Sequence, residues 1–371
     1  MRLAINGFRL GGAMTGVPRY LATLLDEWDK STRPFEKIEL FVRNRATGAG
    51  NSGFKNISVK QLSPIIPCSF TEHFLLPLYT RSADVLFCPS FIMPIGYKRP
   101  CVVTIHDTLQ EIMPDTFPFL ARLRRAPLYR YSARNATLVL TDSHNSREDI
   151  IRYYGIPENK VRVIHLAAAP CFRVLDDKDT VAKDLSGMGL DGRPYILFVG
   201  KLSVRRSIPA LLGAFARLIK EDGIPHRLVL VGINHLGIPL QELIASHDLT
   251  DRVTHLTRIS DKDLTTLYNG ADCFVLPSTY EGFGLPLIEA MACGCPVVVF
   301  RNSSLAEIGG DAVRYPETED EKGLIEAFRD VLGSSSLRDD LSARGLKRAA
   351  QFSWSNTAQQ TLSALEEAAN G

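Results

Sequence analysis

The chain alternates short apolar runs of strand length with helix-length segments along almost its whole length, and this alternation limits the possible folds more than any other feature. In the first half the runs are Leu3–Phe8, Ile38–Arg43, Ile57–Leu62, Val85–Cys88, Cys101–His106, Thr137–Thr141 and Val161–Leu166. In the second half they are Tyr195–Gly200, Arg227–Gly232, Val253–Leu256, Cys273–Leu276, Val297–Phe300 and Val313–Tyr315. Strands that are apolar almost throughout are typical of parallel sheets covered by helices on both faces. The pattern therefore predicts an α/β fold with mostly parallel sheets.

Chain length and one polar segment indicate two domains. The chain has 371 residues, which is long for a single hydrophobic core. Segment 172–193 is polar, contains several aspartates and runs into Gly-Leu-Asp-Gly-Arg-Pro at 189–194, after which the strand pattern restarts. We predict an N-terminal domain over 1–172, a C-terminal domain over 190–353 and a final helix over 354–371 that packs back toward the N-terminal domain. Ligands of open parallel sheets bind beyond the carboxyl ends of the strands, so both sets of strand ends are expected to face one cleft.

Charge and cysteine usage exclude several classes of protein. A formal charge of +2 is too balanced to predict a nucleic-acid partner. The seven cysteines are scattered, and several lie in apolar runs, which favours reduced thiols and a cytoplasmic location. Cys293 and Cys295 have no second pair nearby, so we interpret them as packing residues and predict no metal site. The N-terminus lacks a signal-peptide pattern, and no apolar run is long enough to span a bilayer.

The strongest functional signal is the sequence TYEGFGLPLIEA, which follows a predicted strand. Gly282 and Gly284 let the backbone approach a ligand, and a helix that begins at such a turn attracts an anion. Glu289 lies one to two turns into that helix, where a carboxylate can accept hydrogen bonds from a diol such as a ribose. The alternative is a solvated helix with two ordinary glutamates. The apolar sequence around Glu289 argues against it, because an unpaired buried carboxylate is costly.

Three further segments at predicted strand ends carry weaker signals. Lys201, Arg205 and Arg206 suit a diphosphate, although a solvated basic turn explains them equally well. The glycine-rich sequence LGGAMTGVPRY feeds a helix and suits a phosphate through Gly16, but it lacks the spacing of a dinucleotide fingerprint. His106 ends a strand where ligands bind, although a lone histidine is more often structural.

The spacing of Glu281 and Glu289, within EGFGLPLIEAMACGCPVV, resembles the retaining glycosyltransferases of family 4 (GT4). The resemblance covers nearly the whole chain and implies the GT-B fold, in which two Rossmann-like domains face each other across a cleft. It implies that Glu281 meets the transferred sugar and that Glu289 binds the ribose hydroxyls. The backbone amides that it assigns to the sugar and phosphate belong to Gly282, Phe283, Gly284 and Leu285.

The same resemblance gives roles to the other segments. Gly200, Lys201, Arg205 and Arg206 would meet the donor diphosphate, and the arginines would stabilise the leaving group. The family usually has Arg-Lys where this chain has two arginines, so the planar guanidinium group of Arg206 replaces the compact ammonium group of a lysine.

The remaining roles concern three different loops. The loop at Gly16 would close over the donor phosphates and the acceptor. His106 would approach the sugar and phosphate, while Asp107 orients its loop. Arg258 and Ile259 lie in the nucleobase slot, where Thr257 replaces a common glycine, so the sequence leaves the base open.

The resemblance implies transfer of a hexose to an acceptor hydroxyl with retention of the anomeric configuration and without a cofactor or metal. Likeness to bacterial mannosyltransferases of polysaccharide assembly favours GDP-mannose as donor and a glycan or lipid-linked glycan as acceptor. Three alternatives remain: a UDP-sugar-dependent enzyme of the same fold, a nucleotide-sugar epimerase, and a degenerate nucleotide-sugar-binding scaffold.

One segment raises the question of a peripheral membrane contact. Residues 119–141 contain no acidic residue, and five arginines alternate with apolar side chains there. An interfacial basic helix and a solvated helix beside an anion-binding cleft both explain this composition. Pro127 is expected to interrupt the helix, which favours the second interpretation.

Overall fold

The computed structural model describes residues 1–10, 16–30, 34–43, 54–190, 192–237 and 239–371. The chain divides into two compact units. Unit 1 comprises Met1–Leu166 and Ser353–Gly371, and unit 2 comprises Ala167–Phe352. Residues 167–189, which the sequence places in the N-terminal domain and the linker, thus belong to unit 2. No helix among the described residues is long and apolar enough to cross a membrane.

Each unit contains one parallel sheet. The strands of unit 1 are β1 Arg2–Asn6, β2 Lys37–Val42, β3 Ile57–Gln61, β4 Val85–Cys88, β5 Cys101–Thr104, β6 Leu138–Thr141 and β7 Val161–Val163. The strands of unit 2 are β8 Tyr195–Val199, β9 Arg227–Val231, β10 Val253–Leu256, β11 Cys273–Leu276 and β12 Val297–Val299. In β4, β5, β6, β8 and β11 every residue is buried, as a sheet covered on both faces requires.

Helices connect these strands. In chain order they are α1 Val17–Lys30, α2 Cys68–Phe70, α3 Leu76–Tyr79, α4 Leu109–Ile112, α5 Phe119–Asn135, α6 His144–Tyr154, α7 Lys178–Gly187, α8 Ile208–Asp222, α9 Leu240–Ala245, α10 Asp261–Gly270, α11 Leu285–Ala292, α12 Ser303–Gly309, α13 Glu321–Gly333, α14 Ser335–Ala349 and α15 Trp354–Asn370. A π-helical turn, Thr71–Leu75, joins α2 to α3. The alternation of strands and helices confirms the predicted α/β class with mostly parallel sheets.

The strand order of each sheet reverses once. In unit 1 the order is β3-β2-β1-β4-β5-β6-β7, so the reversal lies between β1 and β4. In unit 2 the order is β10-β9-β8-β11-β12, so it lies between β8 and β11. Open parallel sheets bind ligands beyond the carboxyl ends of the strands at such a point. A ligand site in unit 2 is therefore expected at the loops after β8 and β11.

The helices of unit 1 lie on both faces of its sheet. The connection from β1 to β2 runs in one direction across the sheet, whereas those from β3 to β4 and from β5 to β6 run in the other. Because crossover connections are right-handed, α1 lies on one face, while segment 68–79 and α5 share the opposite face. α15 packs against α1, and the indole N–H of Trp28 donates to the carbonyl of Ala358 at 3.0 Å.

Two predictions about local structure are wrong. The run 313–315 forms a single bridge between Arg314 and Val298, not a strand. Its ladder stops because Pro316 has no N–H and the N–H of Ala312 is bonded to the carbonyl of Gly309. Pro127 does not interrupt its helix, because α5 continues through it to Asn135.

Replacing Leu365 by alanine should destabilise unit 1 by about 2–5 kcal/mol, because the side chain is fully buried on α15 and its loss leaves a cavity. The exposed Ser363 on the same helix offers a matched control, since Ser363→Ala removes no buried contact. Thermal unfolding of both variants measures the effect. Equal unfolding midpoints would show that α15 is not part of the packed unit.

Candidate active site

The reversal point of unit 2 holds a buried carboxylate between two guanidinium groups. Glu281, 8% exposed, follows β11, and Arg205 and Arg206 follow β8. Its Oε1 accepts from Nε of Arg206 at 2.9 Å and from the hydroxyl of Ser278 at 2.9 Å, and lies 3.0 Å from Nη1 of Arg205. The structure thus brings together three of the residues that the sequence predicts as catalytic.

The electrostatics of this cluster favour an anion. Burial raises the pKa of Glu281, but the charges of Arg206 and Arg205 lower it by more than burial raises it. The pKa therefore lies below that of an ordinary glutamate. The carboxylate is therefore ionised at neutral pH, and two guanidinium cations face one anion. The cluster carries a net positive charge, and the exposed Lys201 lies on the same loop after β8.

Two glycines allow the end of β8 to pack closely against the Arg206 guanidinium and against the end of β9. A Cβ on Gly200 would lie 1.4 Å from Nη1 of Arg206, and Gly200 has φ +141°. A Cβ on Gly232 would lie 2.0 Å from the carbonyl oxygen of Gly200, and Gly232 has φ +138°. The ends of β8 and β9 can approach each other, and the guanidinium can lie on the backbone, only because neither residue has a side chain.

The turn that carries Glu281 is anchored on both sides. Thr279 donates to the carbonyl of Arg205 through its N–H at 2.9 Å and its hydroxyl at 3.1 Å. The N–H of Glu281 donates to the hydroxyl of Ser303 at 3.0 Å, and the hydroxyl of Ser304 donates to the carbonyl of Glu281 at 2.8 Å. The loop after β8 and the start of α12 therefore fix the turn before α11 begins.

The residues whose backbone amides are predicted to meet the ligand, Gly282–Leu285, come directly after Glu281 in the chain. Gly284 has φ +93°, and a Cβ there would lie 2.9 Å from Cδ2 of Leu305. Helix α11 begins at Leu285, with a proline in its first turn. The first N–H groups of a helix have no partner within the helix, so the segment Gly282–Leu285 presents the positive end of α11.

Glu289 lies further along α11 and is 5% exposed. The hydroxyl of Tyr268 donates to its Oε2 at 3.3 Å. Tyr268 is fully buried, and its ring packs edgewise against Phe172 and Phe274. Burial and then the Glu289 carboxylate raise the pKa of Tyr268 well above that of an ordinary tyrosine, so the hydroxyl remains a donor. Tyr268 therefore fixes the orientation of the carboxylate to which the family resemblance assigns the ribose.

His106 lies in unit 1, beyond the carboxyl end of β5. Its Nδ1 is 2.7 Å from Oδ2 of Asp142, and its Nε2 is 3.1 Å from the carbonyl oxygen of Pro89. Both partners are acceptors, so both ring nitrogens carry hydrogen, which is the charged form. Burial lowers the pKa of His106, but the Asp142 carboxylate, the carbonyl of Pro89 and the Asp107 carboxylate together raise it more, so the pKa lies above that of an ordinary histidine. The imidazolium is thus held by the protein through both nitrogens.

The other predicted residues lie at the expected sheet edges without joining the arginine–glutamate cluster. Gly16 has φ +55° directly before α1, whereas residues 11–15 of its glycine-rich loop lie outside the described residues. Asp107 accepts from the N–H of Leu109 at 3.0 Å, which suits the loop-orienting role predicted for it. Arg258 and Ile259 follow β10, two strands from β8 in the sheet.

Sequence reasoning missed three residues that hold the predicted ones in position. Asp142 and Ser278 each follow a predicted strand within two residues, so a search for polar side chains at strand ends finds both. Tyr268 lies inside α10, where no local pattern distinguishes it from a core aromatic.

Replacing Gly200 by alanine should lower the stability of unit 2 by about 3 kcal/mol, because the methyl group overlaps the Arg206 guanidinium and the positive φ disfavours a side chain. Gly187→Ala is the control, since a Cβ there meets no atom within 4 Å. In thermal unfolding, Gly200→Ala should unfold at a lower temperature than the wild type, whereas Gly187→Ala should unfold at the wild-type temperature or above it. A Gly200→Ala protein as stable as Gly187→Ala would contradict the packing of Arg206.

The lowered pKa of Glu281 predicts how stability depends on pH. A carboxylate with a depressed pKa contributes stability above its unfolded pKa, about 4.3, and loses it as the pH falls through the folded value. The destabilisation caused by Glu281→Gln, relative to wild type, should therefore be largest at pH 7 and shrink toward pH 3. The exposed Glu317→Gln is the control. A deficit that stays constant over this range in urea titrations would show that Glu281 is not ionised in its pocket.

Comparison with known proteins identifies the family. Residues 188–348 match the family described as Glycosyl transferases group 1, and residues 78–168 match Glycosyltransferase Family 4. The O-antigen chain mannosyltransferase B of Escherichia coli is 33% identical over 280 residues, which span 75% of this chain and 73% of the relative.

Solved structures agree on the fold. Sucrose-phosphate synthase from Thermosynechococcus elongatus matches with a TM-score of 0.79 at 20% identity. The match covers 99% of this chain and 98% of the synthase chain. HepE of Anabaena, in complex with UDP and glucose, has a TM-score of 0.78 at 19% identity and covers 99% of this chain and 100% of its own. Both the family and the GT-B fold that the motif of Glu281 and Glu289 predicts are confirmed. The chain belongs to the group 1 glycosyltransferases of family 4, and its reaction is the transfer of a glycosyl group.

Proposed function

We propose that this glycosyltransferase transfers a hexose from a nucleotide-diphosphate sugar to a hydroxyl of a glycan or lipid-linked glycan, with retention of the anomeric configuration. The observation that carries the proposal is the cluster of Glu281, Arg205 and Arg206 at the reversal point of the unit 2 sheet. It combines a net positive charge with the position at which open parallel sheets bind phosphorylated ligands.

The proposed chemistry is stabilisation of a leaving diphosphate. The bond from the anomeric carbon to the diphosphate oxygen breaks, so negative charge grows on the phosphate while the sugar becomes an oxocarbenium ion. Arg205, Arg206 and Lys201, together with the backbone amides before α11, stabilise that charge. Fixed guanidinium groups do so without reorganising, because Glu281 already orients them.

The incoming hydroxyl attacks from the face that the diphosphate leaves. A new bond joins the acceptor oxygen to the anomeric carbon, and the acceptor proton passes to the departing phosphate oxygen. This step requires no protein nucleophile, and the three cations supply the charge that a metal would otherwise bring. The contacts on Glu281 described above all meet Oε1, so we assign Oε2 to the hydroxyls of the transferred sugar.

The remaining donor contacts belong to residues away from the cluster. We assign the ribose hydroxyls to Glu289, the nucleobase to the backbone of Arg258 and Ile259, and closure over the phosphates to the loop at Gly16. His106 is assigned a place beside the sugar and phosphate. Since Asp142 and Pro89 occupy both of its nitrogens, its contribution is a fixed positive charge and not proton transfer.

The relatives support mannose as the sugar. The similar Escherichia coli protein, and a similar protein of Salmonella typhimurium, are O-antigen chain mannosyltransferases, which favours GDP-mannose and an acceptor of polysaccharide assembly. HepE of Anabaena holds UDP and glucose, so a UDP-sugar is the second candidate donor. No disulfide is present among the described residues, which include all seven cysteines, and this supports a cytoplasmic location.

A thermal-shift panel of GDP, UDP, ADP and their sugar conjugates should give a clear shift with one base only, and we expect guanine. A ligand at about 100 times its Kd adds about 2.7 kcal/mol of stability if it binds only the folded protein. The nucleosides without phosphate are the control and should give no comparable shift. A folded protein that responds to none of the nucleotides would favour the degenerate scaffold.

Two substitutions should affect the kinetics differently. Glu289→Ala should mainly raise KM for the donor, because a ribose contact is the same in the ground and transition states. Arg206→Ala should mainly lower kcat, by about a hundredfold or more, because charge on the leaving diphosphate appears only in the transition state.

Arg206→Lys is the matched control, since it keeps the charge that the family usually carries as lysine at this position. It should retain more kcat than Arg206→Ala. Steady-state kinetics in which Glu289→Ala lowers kcat and Arg206→Ala raises KM alone would contradict these assignments. Unfolding midpoints of all three variants show whether the loss of activity reflects loss of structure.

A further inference from the structure

Exposed large apolar side chains are concentrated on unit 1. Most of those among the described residues lie in segment 65–95 or in the first turns of α5. On α5, Phe119, Leu120 and Leu123 are 66%, 70% and 60% exposed. An isolated exposed apolar residue needs no explanation, but a group of them on one surface marks an interaction site.

A second apolar stripe runs along the helical segment 68–79. Phe70, Phe74 and Leu78 are spaced four residues apart and are 47%, 61% and 50% exposed. Side chains at this spacing lie on one side of a helix, and the rings of Phe70 and Phe74 are in contact at 5.0 Å between centroids. The charged side chain of this stretch, Glu72, points away from the stripe and is 4% exposed.

The two stripes belong to the same side of the unit. By the handedness of the crossovers, segment 68–79 and α5 cover the same face of the sheet. The loop between β4 and β5 contacts both helical segments: the N–H of Ile95 donates to His73 at 3.3 Å, and the N–H of Gly96 donates at 2.7 Å to the hydroxyl of Tyr131, in the second half of α5. Ile95 itself is 53% exposed.

Positive charge accompanies the apolar side chains. Helix α5 has five arginines and no acidic residue. Arg124 and Arg125 are exposed within one turn of Leu123, and Arg122 lies over the ring of Phe119 at 5.9 Å. Arg130 is paired with Glu111 further along the helix. Since α5 is continuous through Pro127, the reason for interpreting this segment as an ordinary solvated helix no longer holds.

We propose that this apolar–basic face, formed by segment 68–79, Ile95 and the first two turns of α5, docks onto an anionic lipid bilayer. Apolar and aromatic side chains that insert at the acyl boundary, beside arginines that meet anionic headgroups, are the requirements of an interfacial surface. The net positive charge of α5 favours this occupant over a second copy of the chain, whose identical arginines would repel it. The proposal goes beyond the transfer reaction and needs no donor.

Sedimentation with sucrose-loaded vesicles tests the proposal. At low salt the wild type should sediment with phosphatidylcholine vesicles containing phosphatidylglycerol, and much less with phosphatidylcholine alone. The double variant Leu120→Ser/Leu123→Ser should bind the anionic vesicles about tenfold more weakly, and so should Phe74→Ser/Leu78→Ser. Arg124→Gln/Arg125→Gln should lose the preference for the anionic lipid. Val174→Ser, which removes an apolar side chain of unit 2 that is 47% exposed, should bind like the wild type.

The proposal is overturned if the wild type does not sediment with anionic vesicles, or if either double serine variant binds as the wild type does while unfolding at the same temperature. It is also overturned if Leu120→Ser/Leu123→Ser abolishes a concentration-dependent dimer and the wild type ignores vesicles, because the face is then an interface between copies. A protein that binds vesicles but shows no nucleotide-dependent thermal shift would contradict only the proposed donor.

Discussion

The ion pairs between Glu281 and the two arginines are the interaction on which the rest of the candidate site depends. A carboxylate this buried is stable as an anion because guanidinium groups meet it, and removing the carboxylate would leave the two arginines without the anion between them. The backbone leaves room for this arrangement, because Gly200 and Gly232 lack side chains where Arg206 and the strand ends meet. The turn before α11 is in turn anchored to Arg205 through Thr279. One electrostatic constraint thus shapes the loops that end β8, β9 and β11.

The sequence predicts most of the fold and the centre of the site because both depend on local patterns. The apolar runs match the strands closely, with several predicted one to three residues too long at the carboxyl end, where the polar site loops begin. The motif around Glu281 and Glu289 is contiguous, so it is visible without coordinates. The partners of the site residues cannot be identified in this way, because His106 meets Asp142 and Glu289 meets Tyr268 only through tertiary packing. Pro127 shows the opposite failure, since a local rule predicted a break that the folded helix does not have.

The two units contribute different physical properties. Unit 2 offers buried, paired charges at the reversal point of its sheet, which suits a ligand with a diphosphate. Unit 1 offers a partly buried imidazolium fixed by Asp142 and an outer face on which apolar side chains lie beside arginines. The proposed transfer uses the first property for the donor diphosphate, and the proposed lipid contact uses the second. The family and the fold leave this combination open, because function resides in the particular side chains.

The central claim is that Arg206 and its cluster stabilise the diphosphate that leaves the sugar, and calorimetric titration with the product nucleotide tests it most directly. Wild-type protein should bind the nucleoside diphosphate of the preferred base far more tightly than the monophosphate. In Arg206→Gln, verified as folded, this preference should shrink by about tenfold or more, because a charge-assisted hydrogen bond to phosphate is lost. If the variant keeps the full preference for the diphosphate, the phosphate is bound elsewhere and the account of the cluster is wrong.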